Sequence, residues 1–238
     1  MRRSRVAWAI AIGTFGLLSM AGMVWAQPAT ASKVPGAGTL PPTIPIFPLP
    51  DVMLFPNVSR PLHIFEPRYR AMVADALRGD RIIGMVLLRP GYEADYEGRP
   101  PVYPIGCAGV ITDVEELPDG RFNIVLGGLV KFRVTGEDQS RSYRLAHVDA
   151  IPEVPDDEDR AALPKQRQQL EALLAAAFGP SGSEPIPPAV PDDVLINALA
   201  QYLEIDPMVR QELLERQGVF RRAQALIDLL KVKVTPPR

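Results

Sequence analysis

The stretch Ile46-Phe47-Pro48-Leu49-Pro50-Asp51-Val52-Met53-Leu54-Phe55-Pro56, running on to Pro61-Leu62-His63-Ile64-Phe65-Glu66-Pro67-Arg68-Tyr69-Arg70, decides how this chain is read. Proline holds φ near about −65° and has no N–H, which bars it from helix interiors and central strands. Yet Phe47, Leu49, Leu54, Phe55, Leu62, Ile64 and Phe65 are too apolar for a solvated linker. Residues Ile44 to Ile64 are therefore expected to form a stiff, extended arm that wraps a core and supplies side chains to it. Pro67 suits the first position of a helix. Tyr69, Met72, Val73, Ala76 and Leu77 recur at helical spacing, which predicts a helix over Pro67–Leu77 with Gly79 as its C-terminal glycine.

Beyond that helix the apolar run Ile82–Leu88 reads as a buried strand. A long loop, Arg89–Pro104, carries Tyr92, Tyr96 and Tyr103. Cys107–Leu117 and Arg121–Leu126 read as strands joined by Leu117-Pro118-Asp119-Gly120-Arg121, a hairpin turn with Gly120 at the positive-φ position. Gly127-Gly128 marks a bulge or bend, after which Val130, Phe132 and Val134 share a face. Arg144–Ala150 is a last strand. Short strands separated by turn signals predict a small closed or nearly closed β-barrel.

After Pro155 the pattern turns helical. Asp156 to Asp159 place negative charge at a helix start, where the helix dipole favours it. Leu163, Leu170, Leu173, Leu174, Ala177 and Phe178 form its stripe, and Gly179–Pro191 is a proline-rich linker. Asp192 or Asp193 is expected to cap the next helix, with Leu195, Ala198, Leu199 and Tyr202 inward. Asp206-Pro207 opens a short helix, and Val219, Ala223, Leu226, Ile227 and Leu230 line a final one. No repeat is visible.

Charge is balanced, 26 basic residues against 28 acidic. Without residues 1–26, which hold three arginines and no acid, 23 basic residues face 28 acidic ones. That balance lacks the basic footprint of a nucleic-acid binder. Arg2, Arg3 and Arg5, an uncharged run from Val6 to Val24, and the end Val24-Trp25-Ala26 read as an export signal cleaved before Gln27. The alternative is an inner-membrane anchor over residues 6–26. Cleavage places the mature protein in the periplasm; contact with a membrane is expected only if the leader stays. Residues 27–41 read as a flexible linker.

Several stretches together resemble the N-terminal, substrate-binding domain of Lon-type ATP-dependent proteases. They are Ile46–Pro56 with Pro61–Arg70, then Pro104-Ile105-Gly106-Cys107-Ala108-Gly109-Val110-Ile111, then Asp119–Val134, in the family's order and over roughly residues 42–232. The resemblance implies an α+β fold: a PUA-like β pseudobarrel over residues 42–152 and a helical bundle over 153–234. It marks Pro48, Phe55, Pro56, His63 and Phe65 as structural signature residues. Glu66, Pro67, Arg68 and Tyr69 belong to the same signature, as do Gly106, Gly109, Gly120, Gly128 and Phe132. It implies a non-catalytic domain that recognises unfolded or extended polypeptide. Tyr92, Tyr96 and Tyr103 are the candidate peptide contacts, since tyrosine joins apolar area to a polar tip.

Chemistry of other kinds finds little footing. None of Lys33, Lys131, Lys165, Lys231 and Lys233 follows a glycine, so no phosphate-binding Gly-Lys loop exists. No Ser-Lys protease domain is recognisable. Two histidines and one cysteine give no metal-ligand spacing; no catalytic, cofactor or metal residue is assigned. Cys107 reads as a buried structural thiol, and His63, between Leu62 and Ile64, as a packed, hydrogen-bonded structural histidine. Phe55 and Phe65 are expected to be buried. Glu66 is expected to cap the helix or pair with a nearby arginine. Glu115 and Glu116 alternate faces of a strand and so share no substrate. The alternatives are a hydrolase with a site in the barrel cleft near the tyrosine loop, and a PUA-like RNA-binding module.

Overall fold

A computed structural model describes residues 40–92, 98–154, 156–178 and 186–234. The leader and most of the linker, Tyr96, and Gly179–Glu184 with Pro185 lie outside the described residues. The elements run β1 (Thr43–Leu49), β2 (Ser59–Ile64), α1 (Pro67–Arg78), β3 (Ile82–Leu87), β4 (Ile105–Glu116), β5 (Phe122–Asp138) and β6 (Arg144–Ile151). Helices α2 (Asp157–Phe178), α3 (Asp192–Tyr202), α4 (Pro207–Glu215) and α5 (Gly218–Val234) follow. The fold is α+β, its strands first and most of its helices after.

The strand order is β2-β5-β4-β3-β1-β6, and β6 also pairs with β5. The pairings β5-β4-β3-β1-β6 thus return on themselves, while β2 hangs outside the circuit on β5. Among the described residues only β1 and β3 pair in parallel; the other strand pairs are antiparallel. Residues from all five strands of the circuit meet in one cluster: Ile44, Ile46, Ile82, Val86, Ala108, Phe132, Ala146 and Val148. The Phe132 ring fills the space that Gly84 and Gly106 leave open. A Cβ on Gly84 would come within 2.7 Å of that ring, and one on Gly106 within 2.8 Å. Side chains of the opposite parity, such as Phe47, Ile83, Met85 and Cys107, join a larger core shared with all the helices. Burial pushes the Cys107 thiol well above its ordinary range, so it behaves as a small apolar filler.

The proline arm departs from expectation at β1, which is an internal strand despite Pro45 and Pro48. The register supplies the reason. β6 pairs with Thr43–Ile46 and β3 with Ile46–Leu49. Each half of β1 has one partner, so each proline can turn its missing N–H to the unpaired side. Pro61 sits in β2 at the end of the sheet order, where proline is ordinarily tolerated. Between these strands Met53, Leu54, Phe55 and Pro56 are buried as the arm model requires. The arm crosses β5 at Gly128, whose N–H donates to the Val58 carbonyl (2.9 Å) while its own carbonyl accepts from Asn57 (3.0 Å). A Cβ there would lie 1.9 Å from the Phe55 carbonyl oxygen, so only glycine permits the crossing.

The bulge expected at Gly127-Gly128 is present: Ala108 faces Val130 and Gly109 faces Gly128, leaving Leu129 extra. The hairpin turn is also present, with Gly120 at φ 77°. Three local expectations are corrected. Gly79 caps α1 at φ −112°, and the left-handed residue is Arg81 (φ 61°), whose N–H returns to Ala76. Pro191 is the N-cap of α3; Asp192 pairs instead with Arg167 (3.0 Å), and Asp193 accepts from Asn57 (2.9 Å). Tyr202 is exposed rather than inward, because its hydroxyl reaches sideways to the Ser59 carbonyl.

Candidate functional site

Strand β2 and the residue after it alternate. Arg60 and Leu62 are half-buried and Ile64 is buried, whereas Pro61, His63 and Phe65 face solvent. Two expectations therefore fail together. Phe65 is 60% exposed, and His63, though hydrogen-bonded as expected, is exposed rather than packed. Their rings lie stacked, 6.3 Å between centroids. His63 Nδ1 donates to Asn123 Oδ1 (2.7 Å), and its Nε2 accepts from Arg121 Nη1 (3.2 Å). Asn123 donates in turn to Glu115 (2.7 Å), and Arg121 to Asp119 (2.6 Å). The Arg121 backbone N–H and guanidinium hold the Asp119 carboxyl below its usual range. A polar network thus fixes the imidazole on the outer face of β2 and β5, with the Phe65 ring stacked beside it.

This patch is bounded at both ends. At the start of β2, Gln201 and Tyr202 of α3 both donate to the Ser59 carbonyl, with Gln201 at 3.0 Å. Past its end Glu66 precedes α1 and pairs with Arg68 (3.0 Å), the arginine pairing expected of it; it makes no side-chain cap. Tyr69 turns inward against Phe47, ring centroids 4.3 Å apart.

The loop tyrosines are placed differently. Tyr92 is 48% exposed. Tyr103 is half-buried against the larger core, with the Arg89 guanidinium 5.6 Å above its ring, and its N–H pairs with Leu87. A pocket of about 230 Å³ beside the loop is lined by Arg68, Tyr69, Arg99, Ser142, Tyr143 and Arg144 among others. Its arginines are partly neutralised: Arg68 by Glu66, and Arg144 by Glu137. Burial and a hydrogen bond to Asp75 push Tyr143 up to about 12, so its phenol stays protonated. The lining holds Ser142 but neither histidine, which leaves that serine no imidazole base. His147 lies elsewhere, against Thr43 (3.0 Å). Among the described residues no group of three metal-ligating side chains occurs.

Sequence reading missed a polar seam between strands and helices. Glu153 pairs with Lys131 of β5 (2.6 Å) and with Arg222 of α5 (2.6 Å). Lys131 also donates to the Arg216 carbonyl (2.7 Å), and Arg222 to the Leu213 carbonyl (2.9 Å) and to Asn197. Asn197 donates to Pro56 (2.9 Å), Gln201 accepts from the Phe55 N–H (2.9 Å), and Gln211 donates to Ile105 (3.0 Å). Burial alone would raise Glu153, but Arg222 and Lys131 outweigh it and hold the carboxyl below its ordinary range. Burial lowers Lys131, with Glu153 opposing. The one available signal was spacing: Asn197 and Gln201 are four apart on α3, on a side away from the stripe of Leu195, Ala198, Leu199 and Tyr202.

A family model described as the ATP-dependent protease La (LON) substrate-binding domain matches residues 43–232. The chain belongs to the Lon substrate-binding domain family. Lon protease 2 of Myxococcus xanthus is 25% identical over 207 residues, covering 82% of this chain and 24% of that protein. Lon protease 2 of Syntrophobacter fumaroxidans is 30% identical over 134 residues, covering 56% and 16%. The chain thus spans about a quarter or less of these curated Lon proteases. Two solved structures share the fold. A Lon N-terminal domain protein from Xanthomonas campestris has TM-score 0.53 and 24% identity, covering 78% of this chain and 97% of that one. The N-terminal domain of a Mycobacterium avium complex Lon protease has TM-score 0.56 and 20% identity, covering 79% and 98%.

Proposed function

We propose that this Lon-type domain recognises unfolded or extended polypeptide, performs no chemistry on it, and does so in the cell envelope after residues 1–26 are removed. The match to a substrate-binding domain over residues 43–232 carries the reading. The exposed Phe65 and His63 support it, because an apolar ring stacked beside a hydrogen-bonded imidazole is a surface suited to contact rather than to core packing. The leader's arginines and uncharged run support export, and the acidic balance of the remainder speaks against nucleic acid as partner. Binding is expected in the micromolar range, about −8 kcal/mol. Titration of a fluorescently labelled, reduced and carboxymethylated protein into the mature chain tests this; no binding at about 100 μM refutes it. The same preparation should neither hydrolyse ATP nor cleave the bound chain. Intact mass of the exported protein tests the leader: a mass that includes Met1–Ala26 leaves the anchor in place.

A further inference from the structure

The outer edge of β2 is an unpaired strand edge. Strand β2 ends the sheet order, and β5 is its one neighbour among the described residues. Two observations fix which backbone groups point outward. The Ser59 carbonyl accepts from α3, on the side away from β5. Pro61 has no N–H to give to the ladder and shares Ser59's parity. In an antiparallel strand the N–H and C=O of one residue point the same way, alternating along the chain. Pro61 therefore offers its C=O outward, and His63 offers both its N–H and its C=O. Beside these groups, on the same exposed face, stand the rings of Pro61, His63 and Phe65.

We infer that this edge, from Pro61 to Phe65, takes up an extended apolar segment of an unfolded polypeptide as an added strand. The inference rests on the polypeptide-binding reading above and names its site and mode. The chemistry of the edge selects the occupant. Backbone donors and acceptors at strand spacing pair with another strand, while a helix has already used its own. The edge is about 13 Å long, closed at Ser59 by Gln201 and Tyr202 and at the far end by Pro67 and α1. A proline in so short an edge disfavours edge-to-edge pairing of two folded copies. A flexible chain needs no more than those three groups and a ring to lie against. Side chains of the added strand on the exposed face would meet Phe65 and Pro61, so apolar residues are preferred there. Folded proteins, whose strands are already paired, would be passed over.

The test uses the mature chain and a labelled ten-residue peptide of alternating valine and threonine with a terminal lysine at each end. A second peptide carries N-methyl groups on its four central residues, which removes donors and keeps side chains. The methylated peptide should bind about tenfold more weakly or worse. His63→Ala and His63→Pro both lose the imidazole, but only the second loses the outward N–H, with the β5 ladder untouched. His63→Pro should bind the unmethylated peptide about tenfold more weakly than His63→Ala. Equal binding of the two peptides overturns the inference, and so does equal binding by two folded variants. If circular dichroism shows His63→Pro unfolded, the peptide pair alone decides. Should the carboxymethylated protein bind while the methylated peptide is not discriminated, the polypeptide-binding function stands and its strand-addition mode falls. Should wild type bind neither the carboxymethylated protein nor the peptide, both fall.

Discussion

The two halves of the proline-rich segment have similar compositions and opposite fates. From Met53 to Pro56 the arm is buried beside α3, with Phe55 at 0% exposure; from Pro61 to Phe65 alternate residues stand in solvent, with Phe65 at 60%. Both halves carry phenylalanine, leucine and proline. The difference lies in what closes over them. Helix α3 reaches the first half through Asn197 and Gln201, which satisfy Pro56 and Phe55, and stops at Ser59. Apolar composition therefore does not distinguish core from contact surface within one motif; the reach of a neighbouring helix does.

The sharpest way to break this contrast is in the buried half. Phe55→Ala should cost about 3–5 kcal/mol, because a fully buried ring leaves a cavity; urea melts measure it. A loss under about 1 kcal/mol would show that the arm can shift to fill the space. Glu153→Ala should cost a comparable amount, about 3–5 kcal/mol, since Lys131 and Arg222 would stay buried without a counter-charge. Lys131→Met should cost clearly less, because Glu153 keeps Arg222.

Acid should find the same seam. The Glu153 carboxyl is held below its ordinary 4.5 in the folded state. Its contribution is therefore present above about that ordinary value and is lost as pH falls through the lower folded-state value. Melting temperature should drop on that acid limb, and Glu153→Gln should flatten the drop. A variant with an unchanged acid limb would place the sensitivity elsewhere.

The smallest expected effect belongs to the exposed half. Phe65→Ala should alter stability by no more than about 0.5 kcal/mol while weakening peptide binding. A large loss of stability would return Phe65 to the core and erase the contrast. Tyr92→Ala, tested beside it, asks whether the loop contributes as well; unchanged binding removes Tyr92 from the surface.

Much of the fold was legible because its signals are local. The hairpin at Asp119-Gly120, the bulge at Gly127-Gly128 and the stripe of α5 are written in adjacent residues. The membership of β1 in the ring was not, because the proline rule applies to one paired side at a time and the register divides β1 between two partners. In β2 the alternation is plain, but Leu62 and Ile64 on one face and Pro61 and Phe65 on the other are both apolar. Period two shows two faces without showing which is inside. The seam was hidden for a different reason. A helix stripe is read from its apolar residues, whereas Asn197, Gln201, Gln211 and Arg222 are buried on account of distant backbone groups they satisfy.

The seam also has a mechanical meaning. Lys131 holds β5 to Glu153 and to the carbonyl of Arg216, at the turn between α4 and α5. Glu153, between β6 and α2, in turn grips Arg222 on α5. A tug along the last helix is therefore borne at once by the strand ring, through two cations and one carboxylate, with no hinge between. Cutting the chain at residue 152 would part Lys131 from Glu153 and from the Arg216 carbonyl, so a fragment of residues 42–152 should show no cooperative thermal melt.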